Sequence, residues 1–270
     1  MKLSDLTRAL SGAGIENARA EARMLFEYFT DIKREKLYGT DAKSDSPELA
    51  KAAERRCKRE PLQYIIGYTD FYRERYTVTP DCLIPRQDTE VLVDTAVSLI
   101  PEGENILDLC TGSGCIAIST VKNTKNTTAV AVDVCDEALT LARKNAEANG
   151  TADRITFINR DVTDTALEGS FFAILSNPPY VTPEAYAGLE KEIFHEPKIA
   201  FVGGDDGLYF YRRLTELYKK SLKDGGFIAY EIGYDQAEGI TEIAEKNGMT
   251  VEIINDLGAN PRVALLRPQK

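Results

Sequence analysis

The first 60 residues place apolar side chains at the three- and four-residue spacing that is typical of amphipathic helices. One helix is predicted over residues 4–10, where leucines share a face, and a second over residues 16–29. A third begins at the Asp-Ser-Pro-Glu stretch of residues 45–48, which supplies a cap and a proline in the first turn. The pattern predicts a small helical domain over residues 1–60, either a packing appendage or a module that docks a partner.

The spacing changes after residue 60. Aromatic and β-branched side chains are concentrated at residues 64–66, 71–72 and 76–78, with glycine and charged residues between them. Such short segments separated by turn residues are typical of β-strands. We therefore predict a β-hairpin linker over residues 61–83.

From residue 84 to the end of the chain, apolar runs of strand length alternate with helical patterns. Strands are predicted at 105–109, 128–132, 154–158, 171–176, 226–231, 250–254 and 262–266, and helices at 89–100, 115–121, 136–149, 207–222 and 236–247. This alternation predicts an α/β fold over residues 84–270, with helices on both faces of a parallel sheet. A short turn before the last strand adds one antiparallel strand.

Composition restricts where the protein acts and what it binds. The chain has 270 residues, of which 43% are hydrophobic, enough for one large domain and a smaller one. The apolar runs are shorter than the roughly 20 residues of a membrane span, and the N-terminus lacks the layout of a signal peptide. Five cysteines without a Cys-x-x-Cys pair favour free thiols over a structural zinc site. We expect a cytoplasmic protein without a membrane partner.

The charge of −10 is unevenly distributed along the chain. Residues 1–75 carry 15 Lys+Arg against 13 Asp+Glu, whereas residues 76–270 carry 18 against 30. A phosphate backbone is bound by a basic face, which the larger part of the chain lacks. Direct nucleic-acid binding is therefore not expected.

The fourth strand of the α/β part leads into the most informative loop. The apolar run 171–175 is followed by Ser176-Asn177-Pro178-Pro179-Tyr180, called here the proline loop. Two prolines cannot continue a strand ladder, so the strand must end there in a rigid loop. An amide side chain, fixed backbone carbonyls and an aromatic ring suit the binding of a planar group that carries an NH2.

A glycine-containing loop follows the first strand of the sheet and begins a helix. It comprises Cys110, Thr111, Gly112, Ser113 and Gly114. Glycine lets the backbone turn sharply and approach a ligand closely, and Asp133, about 20 residues further on, is placed to bind the hydroxyls of a ribose. The same spacing fits a dinucleotide fingerprint, so a nicotinamide oxidoreductase is an alternative.

The third strand ends before Asp161 and Val162. If a ribose lies on Asp133, an adenine would lie here, with its amine near Asp161 and its ring near Val162. Ligands of open α/β sheets bind at the carboxyl ends of the strands, so these loops and Asn177 are expected to converge.

At these residues the sequence resembles S-adenosylmethionine-dependent methyltransferases, specifically the HemK-type family that methylates the glutamine N5 of peptide chain release factors. The resemblance extends over almost the whole chain. Its blocks lie at residues 61–67, 71–72, 83–86, 89–90, 107–109, 111–114, 176–180, 196–197, 203–208, 231–233, 256–258 and at Gln236 and Arg262. The sequence departs from the family pattern at two places. Cys110 stands where glycine is usual, and Gln87-Asp88 stands where proline-glutamate is usual.

The resemblance implies a fold, a cofactor and a protein substrate. It implies a class I methyltransferase sheet in the strand order 3-2-1-4-5-7-6 and an N-terminal domain that docks the release factor. The cofactor S-adenosyl-L-methionine would contact the 110–114 loop, Asp133, Asp161, Val162 and Asn177. The same proline loop occurs in N6-adenine methyltransferases of DNA or RNA, which are the leading alternative; a catalytically silent binding module is another.

The proline loop predicts a mechanism. We expect Asn177 Oδ1 and the Pro178 carbonyl to accept the two N–H groups of the substrate amide, with Pro179 and Tyr180 completing the substrate site. A strong base is not required, so His195 is interpreted as a packing or hydrogen-bonding residue. The acidic pair Asp205-Asp206 is interpreted as a turn, without a metal site.

Overall fold

The computed structural model describes residues 1–269, which form two compact units. Unit 1 comprises Met1–Tyr68 together with Glu190–His195, and unit 2 comprises Thr69–Leu189 and the chain from Glu196 onward. The predicted linker 61–83 is thus divided between the units. The short segment 190–195 belongs to the helical unit although it comes from the C-terminal half of the chain.

Unit 1 is a bundle of helices with a core made mainly of leucine, isoleucine and alanine side chains. Its helices are α1 (Leu3–Gly12), α2 (Ala18–Phe29), α3 (Lys36–Gly39), α4 (Pro47–Cys57), α5 (Leu62–Ile66) and the 3-10 helix Lys191–His195. Helix α4 begins as its sequence indicates, because the Ser46 side chain accepts a hydrogen bond from the Leu49 N–H at 3.1 Å and Pro47 occupies the first turn.

The prediction of a strand at residues 64–66 is wrong. These residues lie in α5, which ends at Gly67 in the left-handed conformation with φ 83°. Tyr64, Ile65 and Ile66 are all buried. A short apolar run has no period that separates a buried helix from a buried strand, so packing decided the outcome.

A buried ionic cluster fixes the segment 190–195 within unit 1. Arg56 of α4 is 5% exposed and forms ion pairs with Glu21 at 2.5 Å and with Glu192 at 2.8 Å. Arg59 contacts the second oxygen of Glu192 at 2.6 Å. The planar guanidinium of Arg56 can serve both carboxylates because it has five N–H donors.

Unit 2 contains the hairpin and the alternating strands and helices. The strands are β1 (Tyr68–Phe71, at the unit boundary), β2 (Glu74–Thr77), β3 (Asn105–Leu109), β4 (Thr128–Asp133), β5 (Ile155–Asn159), β6 (Phe171–Ser176), β7 (Leu222–Glu231), β8 (Met249–Asn255) and β9 (Pro261–Pro268). The helices are α6 (Glu90–Leu99), α7 (Cys115–Asn123), α8 (Asp136–Ala148), α9 (Pro183–Ala187), α10 (Tyr209–Tyr218) and α11 (Ala237–Lys246). The remaining 3-10 helices are Gln87–Thr89, Ala152–Arg154, Lys198–Ala200 and Lys219–Ser221.

The seven long strands form one sheet in the order β5-β4-β3-β6-β7-β9-β8. Counted along the chain within this sheet, the order is 3-2-1-4-5-7-6, as the family resemblance implied. Strands β3 to β7 are parallel, and β9 runs antiparallel to both of its neighbours. The α/β prediction is confirmed.

Helices cover both faces of this sheet. Apolar residues of α6, α7 and α8 pack on one face and those of α10 and α11 on the other. Neighbouring strand residues alternate between the two cores, as Ile106 and Leu107 do. Among residues 1–269, no helix is both long and apolar enough to cross a membrane.

Candidate active site

A cavity of about 320 Å³ lies in unit 2 at the carboxyl ends of the parallel strands. Six of the predicted cofactor residues line it: Cys110, Gly112, Asp133, Asp161, Val162 and Asn177. They come from the loops after β3, β4, β5 and β6, which the parallel sheet brings to one edge. Thr111, Ser113 and Gly114 lie outside the lining and shape the glycine loop instead.

Asp133 is held by backbone groups at the edge of this cavity. Its Oδ2 accepts a hydrogen bond from the Gly112 N–H at 2.8 Å, and its Oδ1 accepts one from the Cys135 N–H at 3.0 Å. Burial raises the pKa of Asp133, and the N–H groups of Cys135, Gly112 and Val134 offset part of the rise. The carboxylate is thereby fixed in one orientation.

The glycine loop has a tight backbone. Gly114 has φ 82°, and a Cβ there would lie 2.9 Å from Ile118 Cδ1 and 3.1 Å from Ala142 Cβ. Cys110 also has a positive φ, 61°, which explains why glycine is expected at this position. Burial raises the pKa of the Cys110 thiol well above its usual value, so it stays protonated.

Asp108, near the end of β3, holds the glycine loop through hydrogen bonds. It is fully buried, and its Oδ2 accepts hydrogen bonds from Thr111 Oγ1 at 2.5 Å and from the Ala117 N–H at 3.2 Å. Its Oδ1 has no hydrogen-bond partner among residues 1–269. Burial raises the pKa of Asp108 to about 7. Sequence reasoning gave this residue no role, although an acid within an apolar strand was the available signal.

The proline loop contributes Asn177 and Pro179 to the cavity lining, whereas Pro178 and Tyr180 lie outside it. Asn177 Nδ2 donates a hydrogen bond to Thr89 Oγ1 at 3.3 Å. The Tyr180 hydroxyl donates to Glu231 Oε1 at 3.3 Å, and its carbonyl accepts from Gln236 Nε2 at 3.0 Å. Both ends of the loop are therefore anchored by side chains from other elements.

Two glycines pack directly against the backbone of the proline loop. A Cβ at Gly203 would lie 2.2 Å from the Pro179 carbonyl oxygen, and one at Gly207 would lie 2.3 Å from the Tyr180 carbonyl oxygen. Real Cβ atoms cannot approach so closely, so only glycine fits at either position. Both glycines belong to the block 203–208 that carried part of the family resemblance. The sequence of this block did not indicate that it contacts the proline loop.

Several residues of the cavity lining were not predicted as site residues from the sequence. They are Asp81, Cys82, Leu83, Val134, Cys135, Ala138, Arg160, Thr163, Pro197, Ile199, Ala200, Tyr209 and Phe210. Buried Glu196 fixes two of these segments, because its carboxylate accepts hydrogen bonds from the Ile84 N–H at 2.9 Å and from the Arg86 guanidinium.

The acidic pair near Gly203 forms a turn. Both Asp206 oxygens accept hydrogen bonds from Arg212, at 2.8 and 2.9 Å, and Oδ1 also accepts from the Leu208 N–H. These donors hold the pKa of Asp206 at about 2. Within residues 1–269, no group of three or more His, Cys, Asp or Glu side chains is arranged to hold a metal ion.

Comparison with known proteins places this chain in a family. A family model described as the methyltransferase small domain matches residues 87–204, and one described as the PrmC N-terminal domain matches residues 3–67. A release factor glutamine methyltransferase of Geobacter sulfurreducens is 37% identical over 253 residues, covering 92% of this chain and 88% of the relative. The chain belongs to the release factor glutamine methyltransferase family. Another release factor glutamine methyltransferase, from Thermodesulfovibrio yellowstonii, is 36% identical to this chain. The alignment covers 100% of this chain and 99% of that relative.

A solved structure supports the fold of this release factor glutamine methyltransferase family member. A methyltransferase from Pyrococcus furiosus superposes with a TM-score of 0.54 at 23% identity, covering 71% of this chain and 86% of that one. At this identity the likeness shows the fold alone. The PrmC N-terminal model lies within unit 1, and the methyltransferase small domain model lies on unit 2 except for residues 190–195, which belong to unit 1.

Proposed function

We propose that this protein transfers a methyl group from S-adenosyl-L-methionine to the side-chain amide nitrogen, N5, of the glutamine in the Gly-Gly-Gln motif of peptide chain release factors. The observation that carries the proposal is the convergence of Asp133, the glycine loop and Asn177 on one cavity, in a chain of this family. Release factors act in translation termination, so the proposed reaction takes place in the cytoplasm.

The cavity residues fit the proposed cofactor. Gly112 lines the cavity, and a Cβ added there would meet no atom within 4 Å, so the backbone is open to a ligand. Asp133 suits the ribose hydroxyls, Asp161 the adenine amine and Val162 the face of the ring. When bound, S-adenosyl-L-methionine supplies an electrophilic methyl group on a sulfonium.

The proline loop would overcome the weak nucleophilicity of the substrate amide. A carboxamide nitrogen is a poor nucleophile because resonance delocalises its lone pair into the carbonyl group. Asn177 Oδ1 and the Pro178 carbonyl would accept its two N–H groups and so orient the nitrogen. Acceptors fixed before the reaction also stabilise the positive charge that develops on nitrogen. Pro179 and the ring of Tyr180 would pack against the amide plane.

A protein base is not needed in this scheme. Methylation makes the amide nitrogen acidic enough to lose its extra proton to water. His195, the single histidine of the chain, is exposed and belongs to the 190–195 segment of unit 1. We therefore assign it no proton transfer.

The test is incubation of the protein with methyl-labelled S-adenosyl-L-methionine and a purified release factor. We expect label on the factor, and none when the glutamine of its Gly-Gly-Gln motif is replaced. Asn177→Ala should reduce the rate roughly a hundredfold or more at saturating cofactor. Label that persists without the glutamine, or that enters DNA or RNA instead, would contradict the proposal.

A further inference from the structure

A second group of buried polar residues lies behind the proline loop. Thr89 precedes α6 and Glu231 ends β7, and each side chain contacts one end of the loop. Both residues are 2% exposed. Buried hydroxyl and carboxyl groups are costly unless they are hydrogen-bonded, so their arrangement needs an explanation.

Thr89 stands at the start of a helix without serving as its cap. Its side chain makes no capping hydrogen bond to α6. Its oxygen instead accepts a hydrogen bond from Asn177 Nδ2, over a separation of 88 residues in the chain. A threonine hydroxyl has one hydrogen to donate and can accept as well, so the hydrogen of Thr89 is free for another acceptor.

The Glu231 carboxyl has one oxygen that is not used. Its Oε1 accepts a hydrogen bond from the Tyr180 hydroxyl, whereas the buried Oε2 has no hydrogen-bond partner among residues 1–269. Burial raises the pKa of Glu231 to about 7; Thr89, Arg262 and Tyr180 lower it and Asp88 raises it. Thr89 therefore has an unused hydrogen and Glu231 has an unused buried acceptor, and the two residues contact opposite ends of the same loop.

We propose that Thr89 and Glu231 are positioning residues that fix the orientation of the Asn177 amide for methyl transfer, an inference that rests on the function proposed above. Ionised Glu231 only accepts hydrogen bonds, and its unpartnered Oε2 is the acceptor that we assign to the Thr89 hydroxyl. The Thr89 oxygen then faces Asn177 Nδ2. Asn177 Oδ1 is left as the acceptor for the substrate amide.

Protonation of Glu231 would remove the fixed direction of the hydrogen bonds among Asn177, Thr89 and Glu231. A protonated carboxyl donates a hydrogen bond, so the Thr89 hydroxyl is free to donate to Asn177 and to hold its amide in the opposite orientation. Asn177 would then present N–H groups to a substrate that itself needs acceptors. Methyl transfer should therefore slow as the pH falls through the pKa of Glu231, while cofactor binding changes little.

The first experiment compares Thr89→Val, Thr89→Ser and the matched control Thr215→Val. Thr215 is also buried, and its hydroxyl pairs with Tyr230 at 3.2 Å. Single-turnover rates are measured at saturating cofactor and release factor, with the Kd of the cofactor measured separately. We expect Thr89→Val to lower the rate about tenfold, Thr89→Ser to restore it, and Thr215→Val to leave it unchanged.

The second experiment measures the pH profile of the single-turnover rate for the natural sequence and for Glu231→Gln. The rate of the natural sequence should rise with pH and reach a plateau above pH 7. The rate of Glu231→Gln should be lower and should not show this rise. An unchanged rate in Thr89→Val, or an unchanged profile in Glu231→Gln, overturns the inference while label on the release factor still supports the proposed function. A natural-sequence protein that does not label the factor overturns both.

Discussion

At the scale of single residues, the Asp133 carboxylate has a fixed orientation. Two backbone N–H groups hold its carboxylate at the cavity edge. If Asp133 carries the ribose, Asp133→Ala should weaken S-adenosyl-L-methionine binding roughly ten- to a hundredfold, since hydrogen bonds to a charged group are lost. Isothermal titration calorimetry measures this effect, and Asp153→Ala is the control, because Asp153 is an exposed acid of the 3-10 helix Ala152–Arg154 that does not line the cavity. Equal Kd values in both variants would show that Asp133 does not contact the cofactor.

At the scale of elements, the segment that begins at Gly203 supports the proline loop. The carbonyl of Pro179 occupies the place where a Cβ of residue 203 would stand. Gly203→Ala should displace the loop and reduce methyl transfer about a hundredfold, because small misplacements of catalytic groups are costly. Gly188→Ala is the matched control, since its Cβ would be 3.6 Å from the Ala185 carbonyl oxygen. Single-turnover rates test the prediction, which fails if the two variants are equally active.

Unit 1 allows a second prediction at this scale. Arg56→Ala would leave Glu21 and Glu192 partly buried without their shared guanidinium. We expect the free energy of unfolding of unit 1 to fall by about 3 kcal/mol and hydrogen exchange in residues 190–195 to accelerate. Lys58→Ala, which removes an exposed ion pair with Glu54 on the same helix, should have no measurable effect. Equal exchange rates in the two variants would contradict the role of the cluster.

At the scale of the whole molecule, two buried carboxyls make stability depend on pH. The pKa values of Asp108 and Glu231 are both raised to about 7 by burial. Unfolded acids lose their protons near pH 4, so between about pH 4 and 7 the folded state binds more protons than the unfolded state. The free energy of unfolding should therefore decrease as the pH rises through this window and level off above it.

Urea unfolding at about pH 5.5 and about pH 8 checks this dependence. Each group should contribute on the order of 2 kcal/mol to the difference. Asp108→Asn and Glu231→Gln should each remove about half of it, whereas Asp153→Asn should remove none. The same ionised form of Glu231 that we propose for methyl transfer thus reduces stability at neutral pH.

Much of the fold and part of the site follow from local sequence patterns. Apolar periodicity predicted the helical unit and the alternating strands and helices of unit 2. Proline chemistry ended β6 at the proline loop, and glycine spacing with Asp133 predicted a ligand site at the carboxyl ends of the strands. These features depend on residues close together in the chain, so the sequence contains them directly.

Contacts between distant segments were decided by the tertiary structure alone. Thr89 and Asn177 are 88 residues apart, Tyr180 and Glu231 are 51 apart, and Arg56 meets Glu192 across 136. The helix at residues 62–66, the contact of Gly203 with Pro179 and the inclusion of residues 190–195 in unit 1 belong to the same class. Local periodicity determines which elements form, but strand order and packing determine which loops meet. The orientation of the Asn177 amide depends on that second level, because its partner Thr89 lies in a 3-10 helix that is distant in the chain.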